Sequence, residues 1–346
     1  MIPVFRPSPV SENAKMYVLE CLESNWLSGS GPFVQRFEEA FAKYHGKKYG
    51  IAVSSGTAAL ETALWAEGMR WSDEVIIPEA TIISNLLAVL RNFGKANCVD
   101  VNSHGELVPT EVKKRIVKET KFIMPVHLFG MVGQRKELWD LAQEYRLKFI
   151  EDCSQTWISP LGTGCYSLFI NKFVTCGEGG IILTDDATVA QNARRYRDLC
   201  HSGERFVHSG IGYNFRMSNL QAAVALASLE NVDKELSRRR LIVDLYSHYL
   251  PAPYAIINRH SSCPWMPLVS GAASRIVPNL EKQGIEARRF YYPLSLQPLM
   301  VSKERWERPV TALSLWRGWF YLPCTDRVEE VKIVCKALGD MQSTMI

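Results

Sequence analysis

The chain has 346 residues, of which 47% are hydrophobic and 22% charged. That is ample material for a large core, and it excludes a disordered, collagen-like or coiled-coil chain. The 40 Lys and Arg against 36 Asp and Glu leave a formal net charge of +4, too small and scattered to indicate nucleic acid but compatible with a local cationic pocket.

The opening Met1-Ile2-Pro3-Val4-Phe5-Arg6-Pro7 has no basic stretch leading into an apolar one, so no signal peptide is expected. The longest apolar runs, such as 86–90, are too short to cross a bilayer. The cysteines are spread singly and are odd in number, with no close pair at metal-ligand spacing. A reduced, cytoplasmic protein is expected, with no metal and with neither nucleic acid nor membrane as a partner.

From about Glu38 to Thr184, short apolar runs alternate with helical patterns. Residues 49–54 read as a strand and 57–68 as a helix. The next strand is 74–78, closed by Pro78, and the next helix 81–93. Strands follow at 96–100 and 121–125, then a helix over 134–145 and a buried strand over 147–152. This alternation predicts a mostly parallel α/β sheet, whose ligands bind beyond the carboxyl ends of its strands. Runs 165–170 and 180–184 predict an antiparallel pair around 172–179. Helices are expected from 187 to about 199 and over 219–231, the latter capped by Ser218. Residues 233–240 begin a helix leading into a second unit. The expected division is a large domain over 1–235 and a smaller α+β domain over 236–346.

Three stretches carry chemistry. Ser55-Gly56-Thr57 lies between a strand and a helix, where glycine lets the backbone approach a ligand and the helix start favours an anion. A phosphate site and an ordinary helix cap both fit it. Glu151-Asp152 closes an apolar strand, and a carboxylate there needs a cation or donors; a salt bridge or cap is the plainer explanation. Gln155 stands nearby as a neutral donor. Lys172 follows an apolar run and precedes Gly177-Glu178-Gly179-Gly180, whose last two glycines would let the backbone pass a bulky group. Alone, it reads as a surface lysine. Together, the three match the needs of pyridoxal 5′-phosphate: an amine for a Schiff base, a carboxylate for the pyridinium nitrogen and a helix N-terminus for the phosphate.

The sequence resembles the fold-type I nucleotide-sugar aminotransferases, the DegT/DnrJ/EryC1/StrS family. Matching stretches include Trp26-Leu27-Ser28-Gly29, Ser54-Ser55-Gly56-Thr57, Pro125-Val126-His127-Leu128-Phe129-Gly130, Glu151-Asp152 and Asn171-Lys172 with the glycines that follow. Later come Gly212-Tyr213-Asn214-Phe215-Arg216-Met217 and Gly284-Ile285-Glu286-Ala287-Arg288 with Tyr292-Pro293. The wording around Lys172 and over 212–223 is most similar to the perosamine synthase-like branch.

The resemblance implies a fold-type I PLP-dependent aminotransferase, with a large mostly parallel sheet domain and a smaller α+β C-terminal domain. It implies amino transfer from L-glutamate, which leaves as 2-oxoglutarate, to the C4 ketone of a nucleotide-linked 4-keto-6-deoxyhexose. The cofactor would cycle through pyridoxamine 5′-phosphate. Lys172 would bond the cofactor aldehyde, Asp152 would pair with the pyridinium nitrogen and Gln155 would lie near the phenolic oxygen. Ser55, Gly56, Thr57 and Ser167 would surround the phosphate, and Asn214 would reach it from the partner subunit of a homodimer with shared active sites. Trp26, Ser28, His127, Arg288 and Ser295 are assigned to the substrate side.

The chain departs from the family in three places. The interval from Asp152 to Ser167 is short; Ile82 stands where many members place an aromatic ring over the cofactor; and Ser295 stands where histidine is common. Arg288 and Arg289 read either as partners of a diphosphate or carboxylate or as exposed arginines, and His127 equally as a packed histidine. Trp306, Trp316, Trp319, Phe320 and Tyr321 read as core or dimer contact, and Arg238, Arg239 and Arg240 as a solvated helix face. Four alternatives accompany this reading: a UDP- or dTDP-linked substrate, a non-catalytic cofactor-binding regulator, an α/β binding protein without cofactor, and a dehydratase, whose relatives carry histidine in place of Lys172.

Overall fold

The structure, a computed structural model, describes residues 1–8, 10–204, 206–300 and 308–343, so Trp306 lies outside the described residues. Helices α1 (Glu12–Ser24) and α2 (Pro32–Tyr44) precede a seven-stranded sheet. Its strands are β1 (Tyr49–Val53), β2 (Glu74–Pro78), β3 (Lys95–Val99), β4 (Thr120–Ile123), β5 (Lys148–Asp152), β6 (Thr163–Ser167) and β7 (Gly180–Thr184). Between and after them lie α3 (Gly56–Ala66), α4 (Ile83–Arg91), α5 (Pro109–Arg115), α6 (Arg135–Glu144) and α7 (Ala187–Arg197). The strand order is β1-β7-β6-β5-β4-β2-β3, with β7 antiparallel to both neighbours and the other pairs parallel.

The expected strands and helices of this stretch are present with ends moved by a few residues. Helix α5 was not foreseen: it buries only Val112, so no apolar period marks it. The alternation of side chains along a strand fills both faces of the sheet. On β2, Val75 and Ile77 join one core with Leu60, Leu64 and Leu86 of α3 and α4, while Ile76 joins Leu138 and Leu141 of α6 on the other.

Helix α8 (Asn219–Leu229) begins with a reciprocal capping box between Ser218 and Gln221. Helix α9 (Val232–Tyr249) spans residue 235 and leads to an antiparallel sheet, β8 (Leu268–Ser270), β9 (Arg288–Arg289) and β10 (Trp319–Tyr321), with β10 in the middle. Helices α10 (Ala273–Lys282), α11 (Val310–Gly318) and α12 (Val328–Ser343) flank it. The N-terminal segment returns to this unit, with bridges from Ile2 to Ile285 and from Phe5 to Cys324. Among the described residues no helix is long and apolar enough to cross a membrane.

The arginine run on α9 departs from the expectation. Arg238 pairs with Glu235 and Asp326, and Arg240 donates to the carbonyl of Arg259, but Arg239 is only 1% exposed. Three consecutive helical residues point about 100° apart, so one of them can face inward while its neighbours stay half-buried.

The two carboxylates that end β5 point to opposite faces. Glu151 is fully buried, accepts from Arg135 Nε (2.8 Å) and from the Leu161 amide (2.5 Å), and pairs with His127 Nε2 (2.9 Å). Burial alone would raise its carboxyl, but hydrogen bonding and charge from His127 and Arg135 overcome this and lower it from 4.5 to about 2. Its stabilisation is therefore complete above the unfolded value and is lost as pH falls through the folded one. Glu151→Ala is expected to cost about 3 to 5 kcal/mol of unfolding free energy at neutral pH, because it leaves Arg135 without its buried partner. A urea titration measures this, and an unchanged midpoint contradicts it. The deficit should shrink between pH 4.5 and 2, where the wild-type carboxyl itself takes up a proton.

Candidate active site

The carboxyl ends of β1, β5 and β6 open onto a cavity of about 330 Å³. Trp265, Arg288, Tyr291 and Tyr321 of the C-terminal unit line it as well, so sheet and C-terminal unit share the site.

At one end the cavity meets the start of α3. Ser55 is the N-cap, its hydroxyl accepting from the Ala58 amide (3.1 Å). The first amides of a helix have no intrahelical acceptor and carry the positive end of its dipole, so Gly56 and Thr57 offer an anion two donors. A Cβ on Gly56 would lie 2.7 Å from the Ser167 Cβ, which makes glycine a condition for β6 to close against α3. Gly180 has a different use from the one expected. A Cβ there would lie 2.3 Å from the Ser55 carbonyl oxygen, so it makes room for the α3 entry loop, not for a ligand.

The middle of the cavity holds the Asp152 carboxylate. Its Oδ2 accepts from Asn85 Nδ2 (2.9 Å) and its Oδ1 from the Ser154 amide (2.9 Å). Asn85 is in turn fixed by the Thr81 hydroxyl, which donates to its Oδ1 (3.0 Å). All three side chains are buried. The strand end is held by its backbone too, with the His127 amide donating to the Asp152 carbonyl (3.1 Å). Gln155 accepts from the Phe129 amide (3.1 Å) and donates to the Tyr291 hydroxyl. Ile82, the N-cap of α4, adds an apolar surface to the wall.

Lys172 stands on the connection from β6 to β7. Its Nζ makes no hydrogen bond or ion pair with another described residue and lies 4.4 Å from the centre of the Trp265 ring. Burial lowers its amine from 10.5 to about 8, with Asp152 drawing it up and Arg239 pushing it down. Beside it, Asn171 Oδ1 is buried without a hydrogen-bond partner among the described residues. The arrangement suits a ligand with an anionic group at one end, a group that meets a carboxylate in the middle and an electrophilic carbon near an amine.

Ser55, Gly56, Thr57, Ile82, Asp152, Gln155, Ser167, Lys172 and Arg288 thus line one cavity. The other sequence candidates lie elsewhere. His127 turns its ring to Glu151 on the far face of the sheet, so a packed histidine is what the structure contains. Trp26 is exposed, and Ser28 shares a hydrogen bond with Ser30 (3.0 Å) before α2. Ser295 is buried, its amide donating to Glu79 Oε2 (3.0 Å). Asn214 Oδ1 accepts from Arg216 Nε (3.1 Å), and Asn214 does not line this chain's cavity.

Sequence reasoning missed Asn85, Trp265 and Tyr291; Tyr321, read as core or dimer contact, is in the core with Trp319 and Phe320 and also lines the cavity. A lone amide between Ser84 and the apolar Leu86-Leu87 is a signal that could have exposed Asn85. No local signal marks Trp265 or Tyr321.

The sequence profile of the DegT/DnrJ/EryC1/StrS aminotransferase family matches residues 9–339. A GDP-perosamine synthase of Escherichia coli O157:H7 is 33% identical, over 99% of each chain. Among solved structures, DesV of S. venezuelae, in complex with a ketimine intermediate, is 25% identical with a TM-score of 0.91 over 98% of each chain. NtdA of Bacillus subtilis, with bound cofactor PMP, is 25% identical with a TM-score of 0.87, over 99% of this chain and 86% of its own.

Replacing Asn85 by leucine removes the donor to Asp152 Oδ2 while keeping the volume. The expected loss is about 2 kcal/mol of unfolding free energy in urea, the scale of a buried hydrogen bond to a charged acceptor. A shift below about 0.5 kcal/mol would show that the bond carries no weight.

Proposed function

Because the chain belongs to the DegT/DnrJ/EryC1/StrS aminotransferase family, we propose that it transfers an amino group from L-glutamate to the C4 ketone of a nucleotide-linked 4-keto-6-deoxyhexose. Pyridoxal 5′-phosphate would be its resident cofactor. The observation that carries this reading is the unpaired Lys172 amine sharing one cavity with the buried Asp152 carboxylate and the α3 N-terminus. The fold is that of the fold-type I PLP-dependent aminotransferases. When bound, the cofactor supplies an aldehyde that carries the amino group between substrates and a ring that accepts an electron pair.

Ser55, Gly56, Thr57 and Ser167 would hold the phosphate, and the close approach of Ser167 to Gly56 sets these groups side by side at the helix start. Asp152, anchored by Asn85 and Ser154, would keep the ring nitrogen protonated. Gln155 would face the phenolic oxygen and Ile82 would cover the ring. Lys172 would take the proton from the α-carbon of glutamate and, in the second half-reaction, deliver one to C4 of the sugar. A buried amine that loses its proton near pH 8 suits both directions. Arg288, on the same wall, would meet a substrate anion.

A homodimer completes the proposal. Asn214 follows a segment in which Val207 and Ile211 are exposed, apolar side chains that a second copy of the chain would cover. Asn214 would enter the partner's site with it. We place the two working units at 1–235 and 236–346, with the cavity between them, and the protein in the cytoplasm. The 33% identity to a GDP-perosamine synthase favours a GDP-linked sugar over a UDP- or dTDP-linked one.

Protein incubated with pyridoxal 5′-phosphate should turn yellow, and borohydride should fix the cofactor on Lys172, as read by peptide mass. Glutamate should bleach the colour in the wild type and not in Lys172→Ala. Colour that persists with glutamate would favour the non-catalytic regulator. A panel of GDP-, UDP- and dTDP-linked keto sugars, read by product mass and NMR, would identify the acceptor. For the shared site, Lys172→Ala and Asn214→Asp are each expected to be nearly inactive. Refolded together, they should recover about a quarter of wild-type activity, because half the dimers would be mixed and each would hold one intact site. No recovery would argue against sharing.

A further inference from the structure

Arg239 is among the largest fully buried side chains in the molecule. Its Nε donates to Glu235 Oε1 (2.5 Å), its Nη1 to the Trp265 carbonyl (2.5 Å) and its Nη2 to the Asn171 carbonyl (3.2 Å). The guanidinium faces the rings of Phe5 and Phe173, at 5.1 and 5.6 Å. The Trp265 indole N–H donates to the same Asn171 carbonyl (2.8 Å). One cation on α9 therefore fastens the residue before Lys172 and the tryptophan whose ring lies 4.4 Å from Lys172 Nζ. A buried guanidinium costs several kcal/mol unless acceptors meet it, and an apolar side chain would fill the same place without that cost. Packing alone therefore does not account for an arginine here.

We propose that Arg239 is a positioning residue for Lys172, clamping Asn171 and Trp265 so that the lysine amine is laid over the indole and faces the cavity. The inference rests on the reading of Lys172 as the amine that receives the cofactor. Electrostatics act in the same direction. Arg239 from α9 opposes the ammonium form that Asp152 from β5 favours. Glu178 of the β6–β7 connection and Arg288, Tyr291 and Tyr321 of the C-terminal unit line the same cavity and are unchanged by a substitution at 239.

The test uses the full chain as wild type, Arg239→Met and Arg239→Lys. In cofactor-free protein, the pH dependence of Lys172 acetylation by trace acetic anhydride, read by peptide mass, reports the amine directly. The wild type should be half-reactive near pH 8. Arg239→Met should move that midpoint up by about one unit, since a nearby cation is gone, while Arg239→Lys keeps the charge and the midpoint. Binding of pyridoxal 5′-phosphate, followed by absorbance, should weaken about tenfold in both variants, because neither retains the fork that grips two carbonyls. A folded Arg239→Met protein with wild-type labelling and affinity overturns the proposal. Should that variant fail to fold, Arg239→Lys with undiminished affinity overturns it equally. If the wild type fails to bind pyridoxal 5′-phosphate, the cofactor reading falls, and the labelling shift still decides the role of Arg239.

Discussion

Asp152 and Lys172 carry opposite formal charges into one cavity and make no ion pair there. Each is held back by neighbours of its own. The carboxylate is anchored at both oxygens, by Asn85 and by the Ser154 amide, and the amine rests against Trp265. Direct pairing would satisfy both groups and hold the lysine as an ammonium, which has no lone pair with which to take a proton from carbon. Separation keeps the carboxylate free to meet a ring cation and leaves the amine near pH 8. Maintaining two buried groups short of their easiest partner requires rigid surroundings, and most of the unusual features of the site supply that rigidity.

How much of this could be read in advance depends on distance along the chain. Strands β2 and β7 are bounded by Pro78 and Gly180, which carry their own stop and start signals, and their ends were legible. So was the rule that ligands meet the carboxyl ends of parallel strands, which directed attention to Ser55, Asp152 and Lys172. Asn85 lies 67 residues from Asp152, and Arg239 lies 68 from Asn171; no local pattern pairs them. The run Arg238-Arg239-Arg240 looks uniformly solvated as text. Which arginine turns inward is set by the axial rotation of α9, and that depends on packing against Phe5 and Phe173, far away in the chain.

The glycines teach a related lesson. A glycine in a ligand-binding stretch invites the interpretation that it clears space for the ligand. Gly56 does border the cavity, yet what crowds its missing Cβ most closely is Ser167, and what crowds that of Gly180 is the Ser55 carbonyl. Both let β1, β6, β7 and the start of α3 converge more tightly than any side chain would permit. The anion-binding end of the cavity is thus a product of backbone convergence, with the ligand as beneficiary.

The short connection after β5 follows from the other face of the same strand. Glu151 gathers Arg135 and the Leu161 amide, and Arg135 Nη2 also donates to the Ser159 carbonyl (2.7 Å). One buried carboxylate therefore ties residues 159 and 161 down beside α6, and the connection is complete without further chain. Across the cavity from this strand, Arg288, Tyr291 and Tyr321 of the C-terminal unit complete the wall. How these side chains meet the cavity depends on how that unit is held against the sheet, and Arg239 bonds both sides of the junction, at the Asn171 and Trp265 carbonyls.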